Sequence, residues 1–343
     1  MRRFMTRGVA AALAGLVVAV GWGGTARAAD AGSKVSQTTT VGVHNTYDPA
    51  TFSYLAQALD QNPGLIELDV WPDIITKEWK VSHSNPLGNV NNCVAATTAA
   101  QLYSGAANKN LEYCLDDIRL WLGAHPTAGP LIVKLELKTG FSSRTKQGAA
   151  QLDAAIAAHL GATVFKPSDL LGSYTSLDAA AKANAWPTRG QLAGKVILEV
   201  IPGTVEEGNP TDKLWTDTEY AQYLNGLAAA GTLAKAQIFP SVHNAQAGDP
   251  RSRYSDTSLR PWFVVFDGDA SAYVTGGIDT SWYDTNHYLL VMTDVQNISP
   301  AVPAGDTAAA QARVALVASK HASVASSDWS SMPSVDAIVT DRG

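Results

Sequence analysis

The feature that most constrains the fold of this chain is a regular alternation of short β-branched apolar runs with stretches rich in Ala and Leu. Eight runs have the composition of buried strands: residues 38–46, 65–71, 131–139, 195–201, 238–243, 262–267, 288–294 and 337–342. The stretches between them are made of strong helix formers: residues 51–60, 115–122, 147–160, 218–230 and 308–322. Strands that alternate with helices predict a parallel sheet, and eight such units predict an α/β fold with a single (β/α)8 barrel. A doubly wound sheet is the disfavoured alternative, because no Gly-rich phosphate-binding fingerprint follows the first run.

Composition agrees with one large enzyme-sized domain and excludes some partners. The 343 residues are 46% hydrophobic and 16% charged, which is enough to bury an extensive core. The formal net charge is −6 and the basic residues are scattered along the chain. Nucleic-acid binders normally carry a basic patch, so no nucleic-acid partner is expected.

The first 28 residues have the organisation of a secretory signal peptide. Arg2, Arg3 and Arg7 precede a short apolar run, and Ala26-Arg27-Ala28 matches a small-x-small cleavage site. A membrane anchor is disfavoured, because the run is shorter than the ~20 residues that a span requires. We therefore expect a signal peptide at 1–28, a catalytic barrel at 29–343 and an extracellular location. Cleavage removes four arginines and no acid from a chain with 25 basic and 31 acidic residues, which leaves −10.

Export also predicts the state of the two cysteines. Cys93 and Cys114 are the only thiols, and an oxidising compartment favours a disulfide between them. The bond would hold an Asn-rich loop in place. Two cysteines alone cannot form a structural zinc site.

Ionisable residues follow almost every predicted strand. In a barrel of this kind, functional side chains lie at the C-terminal ends of the strands. The residues at these ends are His44-Asn45, Glu67, Asp69, Glu136, Lys138, Glu199, His243-Asn244, Asp267, Asp294 and Asp341-Arg342. A barrel that served only as a scaffold would not need so charged a mouth.

Three of these carboxylates are predicted to point into one space. Residues i and i+2 of a strand share a face, so Glu67 and Asp69 face inward together, as do Lys134, Glu136 and Lys138. Carboxylates in a low-dielectric mouth repel one another and need cations to remain ionised. An internal network of ion pairs with the two lysines meets that need, and so does a bound metal; the sequence leaves both open.

The mouth also offers an amide oxygen and two imidazoles. Asn45 completes an all-oxygen set with the three carboxylates, of the kind preferred by hard cations such as Ca²⁺ or Mg²⁺. His44 ends the first strand and His83 lies in the loop region after the second. Two imidazoles at a barrel mouth suit paired acid and base catalysis near neutral pH. Asp294 or Asp341 is a candidate to orient one of them.

Together these motifs resemble a known family, the phosphatidylinositol-specific phospholipases C. The matching strings, in order, are Val43-His44-Asn45-Thr46-Tyr47, Glu67-Leu68-Asp69-Val70-Trp71, His83 and Lys134-Leu135-Glu136. They are most similar to the secreted, Ca²⁺-dependent bacterial type found in Streptomyces. The strings occupy the first part of the chain, and residues 189–195 are also similar to the family's approach to its fourth strand.

The resemblance implies a role for each matched residue. His44 and His83 would be the catalytic pair, and the Ca²⁺ ligands would be Asn45, Glu67, Asp69 and Glu136. Metal-independent bacterial members carry Arg where Asp69 stands, so this residue implies metal dependence. Lys138 would lie near the phosphate or the inositol. Glu199 would contact substrate where eukaryotic members place Lys, which implies a preference for phosphatidylinositol without ring phosphates.

The implied activity is that of a lipid-degrading phosphodiesterase. It would release diacylglycerol and form inositol 1,2-cyclic phosphate, which is then hydrolysed to inositol 1-phosphate. The substrate would be met in membranes or micelles by transient interfacial contact, and the chain is expected to be a monomer. The alternatives are a glycerophosphodiester phosphodiesterase, which usually has His-Arg-Gly where His44-Asn45-Thr46 stands, a retaining glycosidase, and a non-catalytic module that binds inositol lipids.

Overall fold

Eight parallel strands form a closed barrel in the computed structural model, which describes residue 29 and residues 31–343. The barrel strands are β1 (Thr38–Val43), β2 (Leu65–Pro72), β4 (Leu131–Leu137), β5 (Val196–Pro202), β6 (Ile238–His243), β7 (Val265–Asp269), β8 (Leu289–Thr293) and β9 (Val324–Ser327). Two short strands are added antiparallel to the barrel: β3 (Trp79–Val81) pairs with β2, and β10 (Val339–Asp341) pairs with β1. Pairing of β1 with β2 closes the barrel. The expected (β/α)8 architecture is confirmed.

Helices cover the outside of the barrel. They are α1 (Leu55–Asp60), α2 (Leu111–Ala124), α3 (Ala149–His159), α4 (Pro167–Leu171), α5 (Leu177–Lys182), α6 (Thr204–Glu207), α7 (Thr216–Ala229), α8 (Ala270–Val274), α9 (Ser281–Thr285), α10 (Thr307–Ala318) and α11 (Pro333–Asp336). The main core lies between these helices and the outward faces of the strands, where Leu68, Val133 and Leu135 are fully buried. None of the helices in the described part of the chain combines the length and apolar character that crossing a bilayer requires.

Strand register places the inward polar residues in layers. Asp69 of β2 pairs with Glu136 of β4, and one layer below Glu67 pairs with Lys134. Lys134 in turn pairs with Glu199 of β5. Because alternate residues of each strand face inward, this register brings acidic and basic side chains of three strands into adjacent layers.

The eighth barrel strand is not the run predicted at 337–342. Val324–Ser327 fills that place, and Val339–Asp341 pairs antiparallel with the beginning of β1. Asp341 therefore lies opposite Thr38, at the far end of the barrel from the strand ends that form the mouth. The sequence Val-Ala-Ser-Ser has only one β-branched residue, so its composition does not stand out as a strand.

The predicted disulfide is present. Cys93 and Cys114 are bonded and both are fully buried, which ties the loop after β3 to the first turn of α2. The predicted signal peptide at 1–28 lies outside the described residues.

We expect the double substitution Cys93→Ala with Cys114→Ala to lower the free energy of unfolding. The two residues are 21 positions apart, and closing a loop of this length stabilises a fold by about 3 kcal/mol. Urea unfolding followed by tryptophan fluorescence measures the difference. Reduced wild-type protein is the control and should unfold at the same urea concentration as the variant; an unchanged midpoint in the variant contradicts the prediction.

Candidate active site

The C-terminal ends of the strands enclose a cavity of about 240 Å³. We call it the mouth cavity. It is lined by His44, which directly follows β1, and by residues of β2, β4, β6 and β7, namely Glu67, Lys134, Glu136, His243 and Asp267. Loop residues such as Thr204 and Asp294 complete its wall. The position of the cavity agrees with the expectation that chemistry lies at this end of the barrel.

Three carboxylates converge beside the mouth cavity. Single ligand atoms of Glu67, Asp69 and Glu136 all lie within 4.8 Å of one another, and all three residues are buried. Oδ1 of Asp69 finds no hydrogen-bond partner in the described chain. Burial, followed by the charges of Glu67 and Glu136, raises the pKa of Asp69 to about 7. The predicted inward convergence on β2 and β4 is confirmed.

Two buried lysines lie against this acidic group. Nζ of Lys138 is 3.1 Å from Oδ2 of Asp69 and 2.8 Å from Oε1 of Glu136. Nζ of Lys134 is 3.2 Å from Oε1 of Glu67 and 3.0 Å from Oδ2 of Asp267. The ion-pair network that the sequence allowed is therefore present, but two ammonium groups do not neutralise four carboxylates.

The donor set nevertheless fits a hard divalent cation. It consists only of oxygen atoms, it is buried, and one Asp69 oxygen lacks a donor. Asn45 adjoins the carboxylates: its backbone nitrogen is 3.4 Å from Oε2 of Glu67, and its side-chain oxygen accepts a hydrogen bond from Tyr47 at 2.9 Å. The structure thus brings together all four residues expected to bind a metal.

His44 is held between two carboxylates. Its Nε2 is 2.8 Å from Oε2 of Glu67 and its Nδ1 is 2.9 Å from Oδ1 of Asp328. The charge of Glu67 raises the pKa of His44 to about 11, against the opposing effect of burial and with help from the hydrogen bond to Asp328. The imidazole is therefore charged at neutral pH in this arrangement.

His83 is placed differently from His44. It lies just beyond β3, next to Ser82, whose backbone nitrogen donates to the Asp69 carbonyl at 3.1 Å. Its ring is exposed and makes no hydrogen bond or ion pair with the described residues. The structure therefore puts His83 at the β3 side of the barrel without bringing it into contact with His44.

The two expected substrate-binding residues also differ from each other. Lys138 lies against the carboxylates of Asp69 and Glu136, as described above. Glu199 is fully buried, one strand away from Lys134, and does not line the mouth cavity. Its contact with substrate stays a prediction.

Comparison with known proteins agrees with this geometry. The model of the Ca²⁺-dependent phosphoinositide phospholipase C family matches residues 100–217. A Ca²⁺-dependent phosphatidylinositol-specific phospholipase C from Streptomyces antibioticus is 50% identical, with a TM-score of 0.89 over 91% of this chain and 99% of that one. This chain belongs to that phospholipase C family.

A more distant relative shares the fold. A calcium-dependent phosphoinositol-specific phospholipase C from Pseudomonas sp., solved with myo-inositol, is 18% identical, with a TM-score of 0.66 over 90% of this chain and 96% of that one. No curated protein sequence matches the chain.

The residue that orients His44 was not among the candidates from the sequence. Asp328 directly follows β9; its Oδ1 bonds to His44 and its Oδ2 accepts from Gln296 at 2.9 Å. Neither Asp294 nor Asp341 bonds to a histidine within the described residues: Asp294 accepts from Gln296, and Asp341 lies at the other end of the barrel. The one available signal was the position of Asp328 after a short run that follows a helix, and that run was not recognised as a strand.

We predict that Glu67→Gln and Asp328→Asn both lower the pKa of His44, and that Glu67→Gln has the larger effect. The charge of Glu67 is the largest cause of the raised pKa, whereas Asp328 contributes a single hydrogen bond from a half-exposed side chain. NMR titration of the imidazole nitrogens in the presence of a chelator measures both changes.

Asp341→Asn is the matched control, and it should leave the titration of His44 unchanged. An equal titration curve in wild-type protein and the Glu67→Gln variant would show that the two groups do not interact in solution.

Proposed function

We propose that this chain is a secreted, Ca²⁺-dependent phospholipase C that cleaves phosphatidylinositol into diacylglycerol and a phosphorylated inositol. The observation that carries the proposal is the contact of His44 with the buried cluster of Glu67, Asp69 and Glu136 at a barrel mouth. It is supported by family membership across nearly the whole chain. No observation favours a glycerophosphodiester phosphodiesterase, a glycosidase or a non-catalytic module over this activity.

Four residues would hold the metal: Asn45, Glu67, Asp69 and Glu136. When bound there, Ca²⁺ supplies Lewis-acid stabilisation of negative charge on the phosphoryl oxygens. The carboxylates of β2 and β4 are inward neighbours in register, so the strands themselves fix their spacing. Mg²⁺ is the alternative ion, but it demands stricter octahedral geometry.

His44 transfers a proton at Nε2, the nitrogen on the side of Glu67. Asp328 accepts from Nδ1–H, which fixes the tautomer and the plane of the ring. His83 serves the other proton transfer of the reaction, so that one imidazole deprotonates the attacking inositol 2-hydroxyl and the other protonates the departing diacylglycerol oxygen. The first product is inositol 1,2-cyclic phosphate, and slower attack by water gives inositol 1-phosphate. Lys138 lies near the phosphate, and Glu199 favours an unphosphorylated ring.

Secretion and a monomeric state complete the proposal. The disulfide between Cys93 and Cys114 supports an oxidising extracellular compartment, and the sequence of residues 1–28 supports export. The substrate is then phosphatidylinositol at a membrane or micelle surface.

The proposal is tested by turnover of phosphatidylinositol vesicles with Ca²⁺ and with excess EGTA. Activity should require the ion. His44→Ala and His83→Ala should each lower kcat by roughly 10²-fold or more, because each removes one acid or base. ³¹P NMR of the products distinguishes the cyclic from the acyclic phosphate.

His125→Ala is the control, since that exposed ring lies at the end of α2 and stacks on Trp121. Full turnover in EGTA would rule out the Ca²⁺ requirement. Cleavage of glycerophosphoinositol in preference to the intact lipid would point to the diesterase alternative.

Exposed apolar side chains suggest how the enzyme meets a lipid surface. Ile74 and Ile75 are 55% and 76% exposed on the turn after β2, and Leu87 is 81% exposed on the loop after His83. The turn with Ile74 and Ile75 follows the C-terminal end of β2. The Leu87 loop follows β3, which ends opposite Val70 and next to Asp69, so both segments belong to the mouth end of the barrel. A net negative chain gains no attraction from bulk charge, whereas inserting each aliphatic side chain into lipid contributes about 1.5–3 kcal/mol.

We expect the double substitution Ile75→Asp with Leu87→Asp to lower turnover on vesicles by roughly tenfold or more, since both insertion energies are lost. Turnover of a short-chain phosphatidylinositol below its micelle concentration should stay unchanged. Leu316→Asp, at a 38% exposed position of α10, is the matched control. An equal loss on both substrates would mean that these residues do not act at the interface.

A further inference from the structure

A second His-Asn pair at the mouth repeats the arrangement of the first. His243-Asn244 ends β6 as His44-Asn45 ends β1, and both asparagines have left-handed backbones, with φ of 70° and 50°. Three strands separate β1 from β6 in either direction around the barrel, so the two pairs face each other across the mouth cavity. The mechanism above uses only the pair on β1.

The ring of His243 is held in a fixed orientation. Its Nδ1 is 2.9 Å from Oε1 of Glu207 on α6, and the Asn244 amide donates to the same oxygen at 2.9 Å. Arg253 donates to the Asn244 carbonyl at 2.8 Å. Since Glu207 accepts from Nδ1–H, the remaining nitrogen, Nε2, is directed to Asp267.

Nε2 of His243 and Oδ1 of Asp267 are 4.0 Å apart, which is too long for a hydrogen bond. Asp267 is 1% exposed, and no hydrogen-bond donor in the described part of the chain reaches its Oδ1. Its Oδ2 lies 3.0 Å from Lys134. Both His243 and Asp267 line the mouth cavity. The cavity wall thus presents an imidazole nitrogen and an unpartnered carboxylate oxygen side by side.

This pair selects a particular chemical group. Burial lowers the pKa of His243, but the hydrogen bond to Glu207 and the charges of Asp267 and Glu207 outweigh burial and raise it, and the carboxylate oxygen that faces Nε2 favours a donor at that nitrogen. A ligand between the two groups must accept from Nε2–H and donate to Asp267. A hydroxyl does both, whereas an ionised phosphate only accepts and is repelled by the carboxylate.

We propose that His243 and Asp267 form a hydroxyl-binding subsite that positions the inositol ring on the side of the mouth cavity opposite His44. This inference rests on the proposed function and adds to it a specificity-determining pair on β6 and β7. It also assigns Glu207 a positioning role through His243. A ring hydroxyl, and not a ring phosphate, is the group that the subsite accepts.

The test measures binding of myo-inositol to the full chain in EGTA, by ligand-observed NMR, so that catalysis plays no part. Two variants distinguish the nitrogens of His243. His243→Gln keeps an amide nitrogen near the position of Nε2, and His243→Asn keeps one near Nδ1. We expect His243→Asn to weaken binding by roughly tenfold or more, the loss of one charge-assisted hydrogen bond, and His243→Gln to retain most of the affinity. His125→Asn is the control for an equivalent change elsewhere.

Three results would overturn the subsite. If His243→Asn bound myo-inositol with nearly wild-type affinity and His243→Gln bound it more weakly, the role of His243 would be limited to its hydrogen bond with Glu207. Equal affinity in all variants, or no binding by wild-type protein, would place the ring elsewhere. Displacement of myo-inositol by inorganic phosphate in wild-type protein but not in His243→Asn would make the subsite an anion site. Intact inositol binding without turnover of phosphatidylinositol would instead count against the proposed function alone.

Discussion

One buried ammonium group connects the two sides of this barrel mouth. Lys134 is 4% exposed, and its Nζ lies 3.2 Å from Glu67, which also contacts His44, and 3.0 Å from Asp267. Burial opposes its charge, but the attraction of Asp267 and Glu67 outweighs that effect and raises the pKa of Lys134. Removing one member of a buried ion pair costs about 3–5 kcal/mol, because the partner is left as an uncompensated charge. Lys134 therefore stabilises the acidic mouth from its centre, together with His44 and Lys138.

The second lysine does not by itself keep Asp69 fully ionised. Lys138 lies near both Asp69 and Glu136, yet the pKa of Asp69 is still raised, since burial and two like charges act on it more strongly than one ammonium group. A carboxylate whose pKa is about 7 is only partly ionised at neutral pH, and a partly ionised group stabilises an ion-pair network weakly. A divalent cation bound there would add positive charge and would be coordinated by the same oxygens. The ion-pair network and a metal, which the sequence presented as alternatives, are therefore compatible with each other.

How much of the site was predictable depended on the strand that carries each residue. The Glu-x-Asp and Lys-x-Glu patterns lie in strongly apolar runs, so their inward direction followed from the period of two. Asp328 was missed because the strand before it, Val324–Ser327, is short and its residues are mostly small and polar. Only pairing with the neighbouring strands identifies this segment as a strand, so the sequence alone does not place Asp328 at a strand end. Glu199 was expected to contact substrate, but its depth in the barrel depends on its register with Lys134, and single-strand patterns contain no register information.

The geometry also explains why such an enzyme would divide its mouth into unlike halves. A phosphodiester needs positive charge and proton transfer, and β1, β2 and β4 provide carboxylates for a cation together with His44. A polyol needs paired donors and acceptors without net attraction to anions, and β6 and β7 provide His243 and Asp267 at the separation a hydroxyl can bridge. Lys134 contacts an acid of each half. A change in charge on one half therefore alters the electrostatic balance of the other through a single buried side chain.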